Sequence, residues 1–273
     1  MISSRVVICL VASLALAMSA PAAGAAEPSP GVASASAAPI KALLVIGGCC
    51  HDYKNQKTVL TEGIAARTNI DWTIVHEGDG KTDHLMSIYE HDDWAKGYDV
   101  VVHDECCSAV KDLAAIERVL KPHREGLPAV VLHCGMHCFR SEGYPNVTPW
   151  FAFTGLQSTG HGKQLPIDVK YTDREHPIVK PLADWTTIKE ELYNNITGHV
   201  LDTAHPLATG TQEPTTHVVA WTNRYSDKTR VFATTLGHNT ETVGDPRYLD
   251  LVTRGLLWSL DKLDDQHLKS AAP

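Results

Sequence analysis

The fold is decided by a short apolar run near the start of the chain, ALLVIGG at residues 42–48. A continuous run of branched apolar side chains is typical of a strand that is buried on both faces, and the two glycines end it in a turn. Residues 54–68 follow with apolar side chains at helical spacing, and residues 70–75 predict a second strand. This order of elements predicts a β-α-β unit with parallel strands.

Two more strands are predicted over residues 98–102 and 128–132, with a helix over residues 113–120 that ends before Pro122. Because β-α-β crossovers are short and right-handed, we expect an α/β domain with a doubly wound, mostly parallel, flavodoxin-like sheet and helices on both faces. In that strand order the first, third and fourth strands are neighbours, so their carboxyl ends lie side by side.

The pattern becomes irregular after residue 139, where glycine and proline are frequent, as in a long loop beside an active site. Alternation returns over residues 165–171, which predict a strand. Residues 218–222 and 230–236 predict a hairpin, and residues 248–260 predict an amphipathic closing helix.

The two ends of the chain differ in composition from this domain. Residues 1–26 are typical of a secretory signal peptide, with one positive charge, an apolar stretch and small residues at the cleavage site. Residues 27–39, rich in Pro, Ser and Ala, predict a disordered leader. We therefore expect one domain over residues 40–263, a tail over residues 264–273, and a secreted or periplasmic protein without membrane contact after cleavage.

The formal net charge is −8, and no block of basic residues is present. Nucleic acids and anionic membranes bind clusters of Lys and Arg, so we expect neither as a partner. The sequence leaves the oligomeric state open.

Three short segments carry six of the seven cysteines, and each directly follows a predicted strand: residues 49–51 (CCH), 103–107 (HDECC) and 133–138 (HCGMHC). We refer to them as the Cys/His segments. Because the carboxyl ends of neighbouring parallel strands share one edge of a sheet, we expect the three segments to meet in one crevice. This convergence is the main reason to predict an enzyme.

Cysteines in an oxidising compartment are expected to form disulfides. Cross-links between segments, such as Cys49 or Cys50 with Cys106 or Cys107, are favoured over bonds between adjacent cysteines and over thiolate metal binding. The connectivity stays open.

The histidines of the segments also suggest a metal site. His133 and His137 are four residues apart, so they share a face if the fourth strand runs straight into a helix. Together with His103, or with His51 or His238, they would hold a zinc-like divalent ion that polarises a carbonyl or activates water. Alternatively, these histidines only form hydrogen bonds around a polar crevice.

The second half of the chain carries a set of motifs: VVAWT at residues 218–222, RVF through LGH at residues 230–238, and RGLLW at residues 254–258. These resemble the signature of ThuA-like (trehalose utilisation) proteins over about residues 40–262, with shorter matches at His51-Asp52, His133, residues 176–178 (HPI) and residues 190–193 (EELY). The resemblance implies a fold similar to class I glutamine amidotransferases, a role in carbohydrate metabolism, and oxidised (3-keto) glycosides as substrates.

The resemblance also implies that Glu191 is an acid/base residue and that Tyr193 orients it or the sugar. A ketone at C3 acidifies the C2 proton, so Glu191 or His238 would remove that proton and the group at C1 would leave. His133, other histidines or a metal would stabilise the enediolate. Of the adjacent acids Glu190 and Glu191, we expect one to face solvent and the other to face the crevice.

The substrate is expected to be a small carbohydrate, and the candidate binding residues are His51, Asp52, His161 and Trp150. His161 lies between two glycines and is expected in a lid loop, whereas Trp150 would stack on a sugar ring.

Two other functions stay open. One is a non-catalytic carbohydrate-binding module that uses the same crevice. The other is a Cys-dependent amidase with Cys134 as the nucleophile and His238 as its partner.

Overall fold

The computed structural model describes residues 38–196 and 200–269; the predicted signal peptide, the leader up to residue 37 and tail residues 270–273 lie outside this range. The strands are β1 (Ile40–Gly48), β2 (Ile70–Glu77), β3 (Val100–Cys106), β4 (Ala129–Leu132), β5 (Ser158–Tyr171), β6 (Trp185–Asn195), β7 (Ala204–Gln212), β8 (Thr215–Tyr225) and β9 (Thr229–Thr234). The helices are α1 (Tyr53–Ala65), α2 (Leu113–Arg124), α3 (Pro149–Thr154), α4 (Thr240–Val243) and α5 (Pro246–Ser259), with 3₁₀ turns at Ser87–Glu90 and His133–His137.

Within the described ranges the strands form one sheet of order β2-β1-β3-β4-β9-β8-β7-β5-β6. The first five strands of this order run parallel to one another. Their register places Gly48 of β1 opposite Cys106 of β3, and His103 of β3 opposite Val131 of β4. The carboxyl ends of β1, β3 and β4 therefore lie side by side, as the sequence predicts.

The other half of the sheet is antiparallel, through the pairs β9-β8, β8-β7, β7-β5 and β5-β6. The predicted α/β fold with a large central sheet and helices is confirmed, but the sheet is mixed rather than mostly parallel. The sequence does not predict β6 and β7, because WTTIKEELYNN and AHPLATGTQ lack a clear alternation of apolar and polar residues. Pro206 also lies at a register shift of β7.

Helices cover both faces of the sheet, as expected of a doubly wound fold. On one face α1 and α5 pack on the even-numbered side chains of β1, including Leu44 and Ile46. On the other face α2 and α3 pack with Leu43 and Val45. No helix of the described residues is long and apolar enough to cross a bilayer.

Helix α2 continues past the proline at which it is predicted to end. Pro122 has no N–H to donate to the Arg118 carbonyl one turn earlier. Trp94 Nε1 donates to that oxygen instead, at 3.1 Å. The side chain replaces the missing backbone donor, and the helix reaches Arg124.

Candidate active site

A crevice of about 400 Å³ opens at the carboxyl edge of the sheet. Its walls include His51, which follows β1, His238, which follows β9, and Glu191 of β6. His133, which follows β4, lies directly behind them, and the nitrogen and oxygen atoms of the four side chains lie within 4.8 Å of one another. We refer to these four residues as the His/Glu cluster. The sequence predicts all four as site residues, and the structure brings them together.

His133 occupies the sharp turn after β4, with a φ of 39°, a value that few residues other than glycine adopt. Its Nδ1 lies 2.6 Å from the carbonyl oxygen of Thr235, so Nδ1 carries a proton and donates it. The Nε2 lone pair then points into the cluster, where the Tyr193 hydroxyl donates to it at 3.1 Å. Burial, followed by the charge of Glu191, raises the pKa of Tyr193 well above its ordinary value, so the hydroxyl stays protonated.

His51 reaches the cluster because β1 and β3 run very close together at their ends. A Cβ on Gly48 would lie 2.5 Å from the Cys106 carbonyl oxygen, so this position requires glycine. His51 Nε2 lies 3.0 Å from His133 Nε2. Two lone pairs repel at this distance and His133 Nε2 already carries one, so in the metal-free protein the proton lies on His51 Nε2. Burial, followed by the neighbouring His133 and His238, lowers the pKa of His51 to about 3.

Glu191 is the centre of charge in the crevice. Its Oε2 lies 3.6 Å from His133 Nε2 and 3.5 Å from His161 Nε2, and its Oε1 lies 3.2 Å from His238 Nδ1. Burial alone would raise the pKa of this carboxyl, but the neighbouring rings of His133 and His238 outweigh burial and hold the pKa well below its ordinary range. Glu191 is therefore ionised in the folded protein.

The same carboxylate acts on His238. Burial lowers the pKa of His238, but the hydrogen bond and the charge of Glu191 outweigh burial and raise it above its ordinary value. Gln164 Nε2 donates to Glu191 Oε1 at 3.1 Å and contacts His238 Nε2 at 2.8 Å. An amide N–H on Nε2 requires a lone pair there, so the ring proton of neutral His238 is on Nδ1, the nitrogen that lies 3.2 Å from Glu191 Oε1.

The prediction that one of the two adjacent acids faces solvent is wrong, because the carboxylates of Glu190 and Glu191 are both buried. Adjacent strand residues point to opposite faces, so Glu190 points away from Glu191. Its two oxygens accept hydrogen bonds from the backbone N–H groups of His238 and Asn239, each at 3.1 Å. Glu190 therefore fixes the loop that carries His238. The sequence contains no signal for this role.

Two predicted residues lie at the mouth of the crevice. His161 is on β5, rather than in a free loop, and its side chain is 40% exposed. Asp52 lies on the outer rim beyond His51, where its carboxylate accepts a hydrogen bond from Asn55 at 2.6 Å.

His137, by contrast, is buried. Its ring stacks on Tyr193 with 4.1 Å between the ring centroids, and burial lowers the pKa of His137 well below the ordinary value.

The structure contradicts the predicted roles of Trp150 and His103. Trp150 is buried in the core, where its indole N–H donates to the Gly135 carbonyl at 2.9 Å, so it cannot stack on a sugar. His103 points to the opposite face of the sheet, where its Nε2 contacts His123 Nε2 at 3.1 Å. The predicted metal set of His133, His137 and His103 is therefore not assembled. Residues 133–137 form a 3₁₀ turn, in which positions four apart do not share a face.

A different set of residues fits a divalent ion. With zinc–nitrogen bonds of about 2.0–2.1 Å, ligand atoms of a tetrahedral site lie about 3.3 Å apart. The His51–His133 nitrogen pair at 3.0 Å and the His133–Glu191 pair at 3.6 Å are close to this value. The Thr235 carbonyl also fixes the outer nitrogen of His133, an arrangement common among metal-binding histidines. The donor set that fits is therefore His51, His133 and Glu191.

The cysteines pair within and between the Cys/His segments. Cys49 is bonded to its neighbour Cys50, contrary to the expectation that adjacent cysteines do not close. Cys106 is bonded to Cys134, a link between segments other than the examples predicted. Among the described residues Cys107 and Cys138 are free and buried.

The sequence profile of the ThuA family, described as trehalose utilisation, matches residues 41–259. No curated protein matches the chain. A ThuA-like protein from Parabacteroides merdae is 21% identical with a TM-score of 0.63, covering 86% of this chain and 93% of its own. A ThuA-like protein from Bacteroides uniformis is 13% identical with a TM-score of 0.61, covering 88% of this chain and 98% of its own.

The fold also occurs within a larger enzyme. A β-galactosidase from Rahnella sp. R3 is 13% identical with a TM-score of 0.55, covering 83% of this chain and 32% of its own. Identities this low show a shared fold and nothing about activity. The family profile, in contrast, spans most of the residues from β1 to α5. The chain therefore belongs to the ThuA (trehalose utilisation) family.

Proposed function

We propose that this protein is an enzyme that cleaves the glycosidic bond of a keto-sugar, a 3-keto-glycoside, by acid/base chemistry. The observation that carries the proposal is the contact between Glu191 and His238 Nδ1 at 3.2 Å, which leaves His238 Nε2 facing the crevice. A carboxylate that holds one imidazole nitrogen and raises the pKa of the ring prepares the other nitrogen to take a proton. The family's description as trehalose utilisation supports a sugar as the substrate.

Gln164 marks where the substrate would bind. Its amide occupies the hydrogen-bonding position at His238 Nε2, on the crevice side of the ring. A substrate C–H placed there would displace the amide and meet the lone pair of the base. Gln164 lies next to a register shift of β5 between His161 and Gln164, so the side chain stands on an irregular part of the strand.

The proposed reaction begins at the carbon next to the ketone. His238 Nε2 takes the proton from C2, and the electron pair of the C–H bond forms the enediolate with C3. The enediolate then returns its electrons to form a C1–C2 double bond, and the bond from C1 to the glycosidic oxygen breaks. The protonated His238 gives its proton to the departing oxygen, so atoms and charge balance over the cycle.

Developing negative charge on the C3 oxygen needs nearby donors. The Tyr193 hydroxyl, which stays protonated, and the neutral ring of His51 both face the cluster. A divalent ion, when held by His51, His133 and Glu191, would polarise the ketone oxygen as a Lewis acid. In that arrangement Glu191 would use Oε2 towards the ion and Oε1 towards His238, which agrees with its contacts.

The amidase alternative lacks support. A cysteine nucleophile would stand on the sharp turn after β4, and that position is held by His133. Cys134, the next residue, is bonded to Cys106 and offers no thiolate.

We also propose that the protein is exported. Residues 1–26 supply the signal-peptide pattern, and the paired cysteines suit an oxidising compartment. Mass spectrometry of the mature protein tests this, with a new N-terminus near Glu27 expected and an intact Met1 contradicting it.

Release of the alcohol from a synthetic 3-keto-glycoside, followed by chromatography, tests the function. We expect release that depends on the enzyme, and no release from the same glycoside with an unoxidised C3 hydroxyl. Calorimetric binding of the keto-glycoside without release would instead make the protein a carbohydrate-binding module. Neither binding nor release would reject the substrate class.

A further inference from the structure

Four sulfur atoms outside the His/Glu cluster are in contact beside the crevice in the order Cys50, Cys49, Cys106 and Cys134, and we refer to this order as the row. Cys50 is bonded to Cys49, and Cys106 is bonded to Cys134. Between these two disulfides, Cys49 Sγ lies 3.7 Å from Cys106 Sγ. The sulfurs of Cys49, Cys50 and Cys106 all lie within 4.8 Å of one another.

The sheet explains why the two disulfides are neighbours. Gly48 pairs with Cys106 across β1 and β3, so the next residue, Cys49, is delivered against Cys106. Strand β4 runs beside β3 and ends just before His133, which places Cys134 on the other side of Cys106 at a Cα distance of 5.2 Å. The row is therefore built by three parallel strand ends.

Cys50 is the most accessible of the four cysteines. It is exposed, whereas Cys49, Cys106 and Cys134 are 7%, 4% and 5% exposed, and Cys106 and Cys134 also line the crevice. Thiol–disulfide exchange proceeds by attack of a thiolate on an accessible sulfur, so a thiol from solvent reaches Cys50 first.

We propose that Cys50, Cys49, Cys106 and Cys134 form a thiol–disulfide exchange relay that reacts with small external thiols such as glutathione. The external thiolate attacks Cys50 Sγ, forming a mixed disulfide and releasing the thiolate of Cys49. Cys49 attacks Cys106 Sγ, forming a Cys49–Cys106 bond and releasing the thiolate of Cys134, which takes a proton from solvent. A second external thiolate attacks the mixed disulfide, leaving Cys50 as a thiol and the external pair as its disulfide.

The balance is one two-electron reduction: two external thiols become one disulfide, and the protein changes from two disulfides to one disulfide and two thiols. The relay moves a free thiol from the surface to Cys134, which lines the crevice beside His133. The relay also exchanges the Cys49–Cys50 bond, which lies directly before His51 in the chain, for a Cys49–Cys106 bond. The relay uses no step of the proposed sugar reaction, so the two proposals fail independently.

The test is stepwise reduction of the oxidised, folded protein with glutathione, followed by alkylation of free thiols and peptide mass spectrometry. Thiols that are free before reduction are first blocked with a different alkylating reagent. We expect the first two-electron product to carry label on Cys50 and Cys134, with a Cys49–Cys106 cross-linked peptide. Label on Cys49 and Cys50 together, label on Cys106 and Cys134 together, or no label would each overturn the relay.

A variant separates the relay from direct reduction of the inner disulfide. In the double variant Cys49→Ser, Cys50→Ser both sulfurs near Cys106 are absent, so we expect glutathione under the same conditions to leave Cys134 unlabelled. The matched control is Cys107→Ser, which removes a free cysteine outside the row and should label Cys134 as the unchanged protein does. Labelling of Cys134 in the double variant at the unchanged rate would contradict the relay.

Discussion

Replacing Glu191 with glutamine keeps the shape of the side chain and removes its charge. In the structure Glu191 Oε1 lies 3.2 Å from His238 Nδ1, in an ion-pair contact, and the carboxylate raises the pKa of that ring. The new amide could also donate to Nδ1, which would move the imidazole proton to Nε2 and remove the lone pair that acts as the base.

The expected magnitude follows from the loss of His238 as the general base, because Glu191 acts through that ring. Such a group contributes roughly 10²–10⁴ to the rate, so we expect kcat of Glu191→Gln to fall by that factor, about 2.7–5.4 kcal/mol of barrier. The Kd of the keto-glycoside should change by less than about threefold, because the base acts in the transition state rather than in binding.

The assay is steady-state turnover of a 3-keto-glycoside together with calorimetric binding. The matched control is Glu213→Gln, which removes the same charge at an exposed position between β7 and β8. The pH profile gives a second readout: activity of the unchanged enzyme should rise with pH as His238 loses its proton, at a pKa above the ordinary 6.5. Turnover of Glu191→Gln within a few-fold of the unchanged enzyme would refute the reasoning.

The remaining predictions concern the loop, the metal and pH. Glu190→Gln should lower kcat/KM, because the backbone N–H groups of His238 and Asn239 lose a charged acceptor. Steady-state kinetics measure this, and an unchanged kcat/KM contradicts the role of Glu190. Protein dialysed against zinc should bind about one zinc ion, as measured by elemental analysis. His133→Ala should lose this ion, whereas the control His217→Ala should keep it. Equal zinc binding by the two variants contradicts the site. The pKa of His51 is lowered from 6.5 to about 3 in the folded protein, so the unfolded chain takes up this proton at a higher pH than the folded chain does. The free energy of unfolding of the metal-free protein should therefore decline as the pH falls from about 6.5 towards 3. Urea titrations should give a smaller decline for His51→Gln, and an equal decline contradicts this.

The sequence is informative wherever a strand is buried on both faces. The apolar runs of β1, β3 and β4 are continuous, and they correctly place His51 and His133 at one edge of the sheet. His103 is the exception, because side chains alternate along β3 and its ring points to the face opposite the neighbouring Asp104. A closer use of this alternation could have separated His103 from the metal set.

The antiparallel half of the sheet is harder to predict for a physical reason. Strand β6 buries two carboxylates, Glu190 and Glu191, and their partners come from distant parts of the chain. Burial of charge is tolerated only with such partners, and nothing local in the sequence signals them. The prediction for Trp150 is wrong for a different reason. A large aromatic side chain is as well suited to the core as to a sugar-binding surface, and the sequence does not distinguish the two.

The central claim is that His238, held by Glu191, removes a proton from the carbon next to a ketone. The most direct measurement compares turnover of a 3-keto-glycoside carrying hydrogen or deuterium at C2. The account predicts slower turnover of the deuterated glycoside, and exchange of the C2 hydrogen with heavy water that is lost in His238→Asn. Equal rates for the two glycosides, with no exchange at C2, would contradict it.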